Sequence, residues 1–252
     1  MYALISDIHG NREALETVLD HIDSQGIERI VCLGDLVGYG PDPEACVDLV
    51  RERCEWCLSG NHDYAVLTEA VHFNPVAKQS IDCIRERMKP RYFAMKETKD
   101  RWEFLENLLL RKQEDDVLFV HGSPRDERNE YIVRHDLYFG VTPKMVEIFE
   151  QVPRLLFVGH THFPGIVTPD FEFVTLPECD YHFDVSDGQK YIINVSSVGQ
   201  PRDRDNRACY ATCDGNVVTW HRVDYDYEAT MKKIIDLACV DRICADRLAA
   251  GM

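Results

Sequence analysis

No apolar run in the sequence approaches the ~18 to 20 residues that a membrane-spanning helix requires, so a soluble protein is expected. Low-complexity tracts, internal repeats and linkers rich in Pro, Gly or Ser are also missing, which favours one domain over residues 1–252. Positive charge is scarce. With 28 Lys and Arg against 44 Asp and Glu, the formal net charge is −16, and such a surface repels nucleic-acid backbones and anionic membranes. Stable nucleic-acid binding is therefore disfavoured, and a phosphate-bearing substrate needs cations concentrated locally. Ten cysteines are spread thinly, and "MYALISDIHG" opens on strand-like residues and an acid rather than on a secretory leader. Reduced thiols and a cytoplasmic location follow, and the sequon-like Asn194, Val195, Ser196 then carries no glycan.

What is present is a series of short apolar runs that end in polar residues. "YALIS" precedes Asp7, "RIVCL" precedes Gly34 and Asp35, and "EWCLS" precedes Gly60 and Asn61; "VLFV" precedes His121, and "LLFV" precedes Gly159 and His160. Each reads as a buried strand delivering polar groups at its carboxyl end. Between the first two lies "NREALETVLDHIDSQG", with Asn11 as N-cap, apolar residues at helical spacing and Gly26 as a stop, and a second helix starts at Pro43. The first 60 residues thus read as β-α-β units of a parallel sheet.

Residues 64–115 carry two amphipathic helical patterns, "NPVAKQSIDCIRERM" and "TKDRWEFLENLLL", and read as a helical insertion after the third strand. The insertion, with Tyr64, His72, Phe73 and Asn74 near its start, is expected to form one wall of the pocket, and those residues, as easily core packing as substrate contacts, are given no individual roles. After His162 the pattern turns to alternating strands, with Asp187-Gly188 and Asp214-Gly215 as hairpin signals, so a second, more antiparallel sheet is expected, then a C-terminal helix over 227–248.

In open α/β sheets the strand carboxyl ends converge on one crevice. Collected there are Asp7, His9, Asp35, Asn61, His62, His121, His160 and His162, all expected at one edge of one sheet. Alternation past Val158 would aim His160 and His162 the same way. An isolated Asp, Asn or His after a strand is more often a turn former or a packed residue, but turn chemistry does not place such groups at five strand ends in order. These nitrogen and oxygen donors suit Mn, Fe, Zn or Ni. Leaving out His62, seven donors exceed the needs of one four-coordinate ion and suit two ions sharing a carboxylate, with Asp35 the natural bridge.

"SDIHGN", "LGDLVGYGP", "LSGNHD", "VHGSP" and "VGHTH" resemble, in order and spacing, the five blocks of the calcineurin-like metallophosphoesterases, over residues 6 to 162. The resemblance implies an α/β fold built as a four-layer α-β-β-α sandwich, two packed mixed sheets flanked by helices. It implies one metal held by Asp7, His9, Asp35 and His162 and a second held by Asp35, Asn61, His121 and His160. It further implies hydrolysis of a small phosphoester, a nucleotide or phosphopeptide among the options, by a hydroxide bridging the two divalent ions, with His62 beside Asn61 as general acid. "NVSSVGQPRD" resembles a late block beside the metals, although Val195 and Ser196 replace its usual proline and glycine, and makes Arg202 a candidate to grip phosphate; the bland alternative is a surface arginine paired with Asp203 or Asp205. Asn61, His62 and Arg202 are thus the substrate-binding candidates. Gly38 and Tyr39 stand where protein phosphatases and symmetrical dinucleoside tetraphosphatases of this kind carry an acid or Asn and then an Arg. A phosphodiesterase or broad phosphoesterase is the reading, with a phosphatase or tetraphosphatase as the alternative. Competing classes are a redox or zinc protein built on Cys54 and Cys57, which lie inside an apolar run, and a non-catalytic metal-binding scaffold.

Overall fold

Strand β1 (Tyr2–Ile5) leads into a segment whose apolar residues switch to helical spacing. Helix α1 (Arg12–Ser24) starts where the Asn11 side chain accepts the Ala14 N–H at 3.1 Å, and it buries Ala14, Leu15, Val18, Leu19 and Ile22 against the sheet. Strand β2 (Ile30–Cys32), helix α2 (Pro43–Arg53) and strand β3 (Trp56–Cys57) follow, and β1, β2 and β3 run parallel as the crossover helices require. This is a computed structural model, and it describes residues 1–138 and 140–252.

The region expected as a helical insertion over 64–115 is helical over a different span. Helices α3 (Asn61–Leu67), α4 (Pro75–Met88) and α5 (Lys96–Glu106) are followed by strand β4 (Arg111–Glu114), which pairs antiparallel with β5 (Val117–Val120). The "LLL" run leaves the helix because its backbone finds strand partners instead: Leu109 N–H donates to Cys57 O at 3.1 Å, and Ser59 N–H donates to Leu109 O at 2.7 Å.

Beyond α6 (Pro143–Gln151) come β6 (Leu155–Val158), β7 (Gly165–Val167), β8 (Phe173–Val174), β9 (His182–Asp184) and β10 (Tyr191–Asn194). Strands β11 (Ala208–Cys213) and β12 (Val217–Val223) lead to α7 (Tyr227–Asp236) and α8 (Ile243–Ala250). One sheet has the order β3-β2-β1-β11-β12-β9, the other β4-β5-β6-β10-β7-β8. The late strands are therefore shared between both sheets rather than forming an antiparallel sheet of their own. Asp214-Gly215 does close the β11–β12 hairpin, but the strands flanking Asp187-Gly188 part company. β9 pairs with β12 while β10 inserts between β6 and β7, so that turn crosses between sheets.

The layers follow from which face each strand residue presents. Leu4, Val31, Phe119, Phe157 and Trp220 share the core between the two sheets, where Phe119 and Phe157 stack at 5.5 Å. Ile5 and Cys32 face α1 and α2 on the far side of the first sheet, and Val120 and Leu156 face α6 on the far side of the second. The architecture is the expected four-layer sandwich of two mixed sheets flanked by helices. No helix among the described residues is long and apolar enough to cross a membrane.

Two further expectations are corrected. The C-terminal helix is broken at Leu237, whose backbone turns extended, and a six-residue link separates α7 from α8 so that Val240 can be buried. That link brings Cys239 to Cys83 on α4, 156 residues away, and the two form a disulfide, whereas the other eight cysteines are free. A pairing at that separation leaves no trace in local spacing.

Candidate metal centre

Every predicted donor lies just past a strand. Asp7 and His9 follow β1, Asp35 follows β2, and Asn61 and His62 open α3 after β3; His121 follows β5, and His160 and His162 follow β6. Because β5 and β6 belong to the second sheet, the donors come from the ends of both sheets, not from one edge of one. The turns are laced together: Asp7 N–H donates to Gly34 O, and His9 N–H to Asp35 O, each at 2.9 Å, while Gly159 N–H donates to His121 O at 3.0 Å.

Strand alternation does not continue past Val158. His160 and His162 both have positive φ, 65° and 59°, as do Asp7, His9 and Asp35 at 51° to 54°. The left-handed conformation costs an L-residue about 1–2 kcal/mol, and it points these side chains inward from turns. His160 thereby joins Asp35 and His121, and His162 joins Asp7 and His9; in each trio the ligating atoms lie within 4.8 Å of one another. His9, Asp35 and His62 form a third such trio, and none of the groups found among the described residues contains a cysteine.

The hydrogen bonds fix which ring nitrogens are free. Nδ1 of His9, His121 and His162 lies 3.1, 2.9 and 2.6 Å from the backbone oxygens of Val37, Leu33 and Gln200. A carbonyl only accepts, so each Nδ1 carries a proton; Nε2 of His9 and His162 then presents its lone pair, and Nε2 of His121 does so once a cation displaces its proton. His160 is the reverse, with Nε2 3.1 Å from Asn129 O. The bare Nε2 atoms of His9 and His162 then face each other at 3.0 Å, an arrangement that calls for a cation between them. Each carboxylate likewise has one oxygen held and one presented: Asp7 Oδ2 accepts His160 N–H at 3.0 Å, and Asp35 Oδ1 accepts His62 N–H at 2.8 Å. Asp35 Oδ2 sits 3.6 Å from His9 Nε2 and 3.4 Å from His121 Nε2, between the two trios. Asp7 Oδ1, Asn61 Oδ1 and His121 Nε2 are buried with no hydrogen-bond partner. Orphaned buried acceptors converging in this way fit divalent metal.

Protonation states agree with this. Burial works against ionising Asp7 and Asp35, yet the imidazoles of His162 and His121 hold Asp7 below the usual carboxylate range, and those of His121 and His62 do so for Asp35. Burial pushes His160 down to about 3 and His62 to about 4, with further lowering from His121 and Arg202 respectively; His9 and His162 are also lowered by burial. His121 alone is raised, to about 10, because Asp35 and Asp7 outweigh its burial. Ionised carboxylates beside mostly neutral imidazoles make a ligand set ready for a cation.

His62 is buried between Tyr39, His9 and Phe73, with ring centroids at 4.7, 4.8 and 5.0 Å, and its Nδ1 has no partner. Gly38 permits this, since a Cβ there would stand 2.4 Å from His62 Nδ1. Arg202 is not the surface pair of the bland alternative: Asp203 and Asp205 are engaged by Arg222 and Arg207, while Arg202 donates to Gln200 Oε1 at 2.9 Å and lies over the Tyr39 ring. Ser196 has φ 81°, a conformation that glycine adopts freely.

Asp63 went unassigned in the sequence although it lies inside "LSGNHD". Its carboxylate accepts the backbone N–H groups of Asp35, Leu36, Val37 and Gly60, tying the Asp35 turn to the start of α3. Burial and the Asp35 charge push it up to about 7 against those four donors. Tyr131 also had no signal; its ring stacks on His160 at 3.8 Å. Asn61, His62 and His160 open into a cavity of about 750 Å³ whose walls include Phe73, Tyr131 and Arg202, along with residues of α8. His72 and Asn74 also line it, and Tyr64 packs under Arg128 instead.

A family model for the calcineurin-like phosphoesterases matches residues 2–185. An uncharacterized protein of Methanocaldococcus jannaschii is 35% identical over 244 residues, covering 93% of this chain and 92% of its own length. A metallophosphoesterase from Sphaerobacter thermophilus, known as a crystal structure, is 35% identical with a TM-score of 0.79, over 100% of this chain and 98% of that one. A hypothetical protein from Pyrococcus horikoshii OT3 shares the fold at 18% identity, with a TM-score of 0.76 and coverage of 100% and 99%. With a matched family model over most of its length and clustered buried Asp and His side chains able to bind metal, the chain belongs to the calcineurin-like phosphoesterases, metal-dependent hydrolases of phosphoester bonds.

Proposed function

We propose that the chain is a phosphodiesterase or broad phosphoesterase working with two divalent ions. Asp7, His9, Asp35 and His162 would hold one, and Asp35, Asn61, His121 and His160 the other, with Asp35 shared. The observation that carries this is the proton placement: four histidines tie one ring nitrogen to a backbone carbonyl, so the other nitrogens meet the free oxygens of Asp7 and Asp35 in two adjoining trios. Bound there, such a pair of ions supplies a water acidic enough to deprotonate near neutral pH and screens the charge on the phosphoryl group.

The remaining work falls to the chain. Asn61 and His62, adjacent at the start of α3, present an amide and an imidazole to the cavity, and His62 protonates the departing oxygen. Arg202 supplies the guanidinium that grips a non-bridging phosphate oxygen, in place of an arginine at position 39. Tyr39 instead packs against His62 and fixes the ring. A cytoplasmic setting rests on the eight free cysteines, and the Cys83–Cys239 disulfide counts against it.

The test is metal analysis of the purified protein together with hydrolysis of bis-p-nitrophenyl phosphate and p-nitrophenyl phosphate. About two ions per chain and Mn²⁺-dependent cleavage abolished by chelator are expected, and cleavage of the diester alone would define a phosphodiesterase. A protein that retains no metal after incubation with Mn²⁺ and cleaves neither compound would refute the reading.

A further inference from the structure

We propose that Arg247, on α8, forms with Arg202 an anion subsite beside the metal centre, so that the preferred substrate carries a second phosphate group next to the one being cleaved. This rests on the phosphoesterase reading and extends it to substrate class. Residue 247 lies outside every quoted motif and beyond residue 185, where the family match ends.

The first ground is charge. Cations are few in this chain, 28 against 44 acids, and most arginines with side chains near carboxylates are paired to them. Arg202 and Arg247 both line the cavity, yet neither forms an ion pair among the described residues; Arg202 meets the neutral Gln200 and Tyr39, and no hydrogen bond is seen from the Arg247 side chain among the described residues. Asp246 shares the wall, but its partner is Arg242 at 3.6 Å. Arg202 lies over the Tyr39 ring, 5.8 Å from its centroid, and α8, which carries Arg247, packs in one apolar cluster with Tyr39, so the two elements meet at that residue of the wall. Two part-buried, unpaired guanidinium groups on a strongly acidic protein are a recognition device for anions.

The second ground is that α8 is built into position. Cys244, Ala245 and Leu248 are buried in one apolar cluster with Tyr39 and Ile234. Gly251 ends the helix at φ 61°, its carbonyl accepts the Arg204 N–H at 2.9 Å, and Met252 N–H donates to Arg247 O at 3.1 Å. The loop carrying Arg202 and the helix carrying Arg247 are thus one hydrogen-bonded unit, and the Cys83–Cys239 disulfide ties the link before α8 to α4. The cavity, at about 750 Å³, is far larger than one phosphate. One arginine suffices for the scissile group; a second, delivered by a separate element, fits a second anion.

AMP and ADP share their nucleoside and differ by one phosphate, which makes them suitable probes. Binding to the Mn²⁺-loaded full chain would be measured by calorimetry and by inhibition of bis-p-nitrophenyl phosphate cleavage. The wild-type protein should bind ADP more tightly than AMP, and Arg247→Gln should shrink that preference about tenfold. Arg247→Lys, which keeps the charge without the fork, should retain part of it and serves as the test if the Gln variant does not fold. Lys232→Gln, the same charge change on an exposed position of α7, should leave the preference intact. An ADP preference that is absent, unmoved by both Arg247 variants, or reduced equally by Lys232→Gln would overturn the subsite. Failure to cleave bis-p-nitrophenyl phosphate would instead count against the phosphoesterase reading, and the calorimetric preference would still decide the subsite.

Discussion

Five residues held left-handed at one site, Asp7, His9, Asp35, His160 and His162, show how local strain is offset by the hydrogen bonds that fix each turn. The same residues then present rings and carboxylates with one atom committed and one free. His62 differs, because neither ring nitrogen is tied to a carbonyl, as its neighbours' are. His62→Asn is expected to lower turnover by ~10² or more with metal content unchanged, as read by steady-state kinetics and metal analysis; a variant with wild-type turnover would remove the acid role. Away from the site, His221 packs on Tyr210 at 4.7 Å, lies 3.0 Å from Thr212 Oγ1, and is pushed down to about 4 by burial and then by His21. Its folded value lies below the ordinary ~6.5, so the stability it confers as a neutral ring is present above pH ~6.5 and is lost as pH falls toward 4. His221→Gln should therefore flatten the loss of stability over that window in denaturant titrations; an unchanged slope would contradict it.

At the scale of elements, the strand ends work because glycines let the turns touch. A Cβ on Gly159 would lie 2.1 Å from Ser6 Oγ and 2.5 Å from Asp7 Oδ2, and one on Gly60 would lie 2.0 Å from Asp35 Oδ1. Gly159→Ala must displace Asp7 or the turn after β6. We expect it to weaken Mn²⁺ binding by at least about tenfold, a cost of about 1.4 kcal/mol, while the far-UV circular dichroism stays that of the parent. Unaltered Mn²⁺ affinity by calorimetry would show that the turn has slack. The helix α1 cap and the Asp214-Gly215 hairpin were legible for the same reason: each is decided by a few adjacent residues.

For the whole molecule, the centre is a seam. Asp7, His9, Asp35 and Asn61 come from one sheet and His121, His160 and His162 from the other, so a cation gripping both sets bridges the sandwich. Metal that binds only the folded chain should stabilise it by about 2.7 kcal/mol at a hundredfold excess over its Kd. For a chain of this size that raises the thermal midpoint by several degrees, roughly 2–4 °C per kcal/mol. Scanning calorimetry with Mn²⁺ and with chelator checks this, and coincident transitions would deny a shared inter-sheet site.

The sequence by itself determined the five strand ends, the Asp, Asn and His side chains they carry and the α1 and α2 crossovers, because strand length, capping and turn chemistry act over a few neighbouring residues. It could not show that β9 and β10 part to different sheets, that α5 stops at Glu106 so Leu109 can pair beside β3, or that Cys239 reaches Cys83. Nor did it show Asp63 bracing the Asp35 turn or Arg247 entering the cavity wall. Those outcomes depend on which distant surfaces bury one another, a choice made only when both sheets and the last helices pack together.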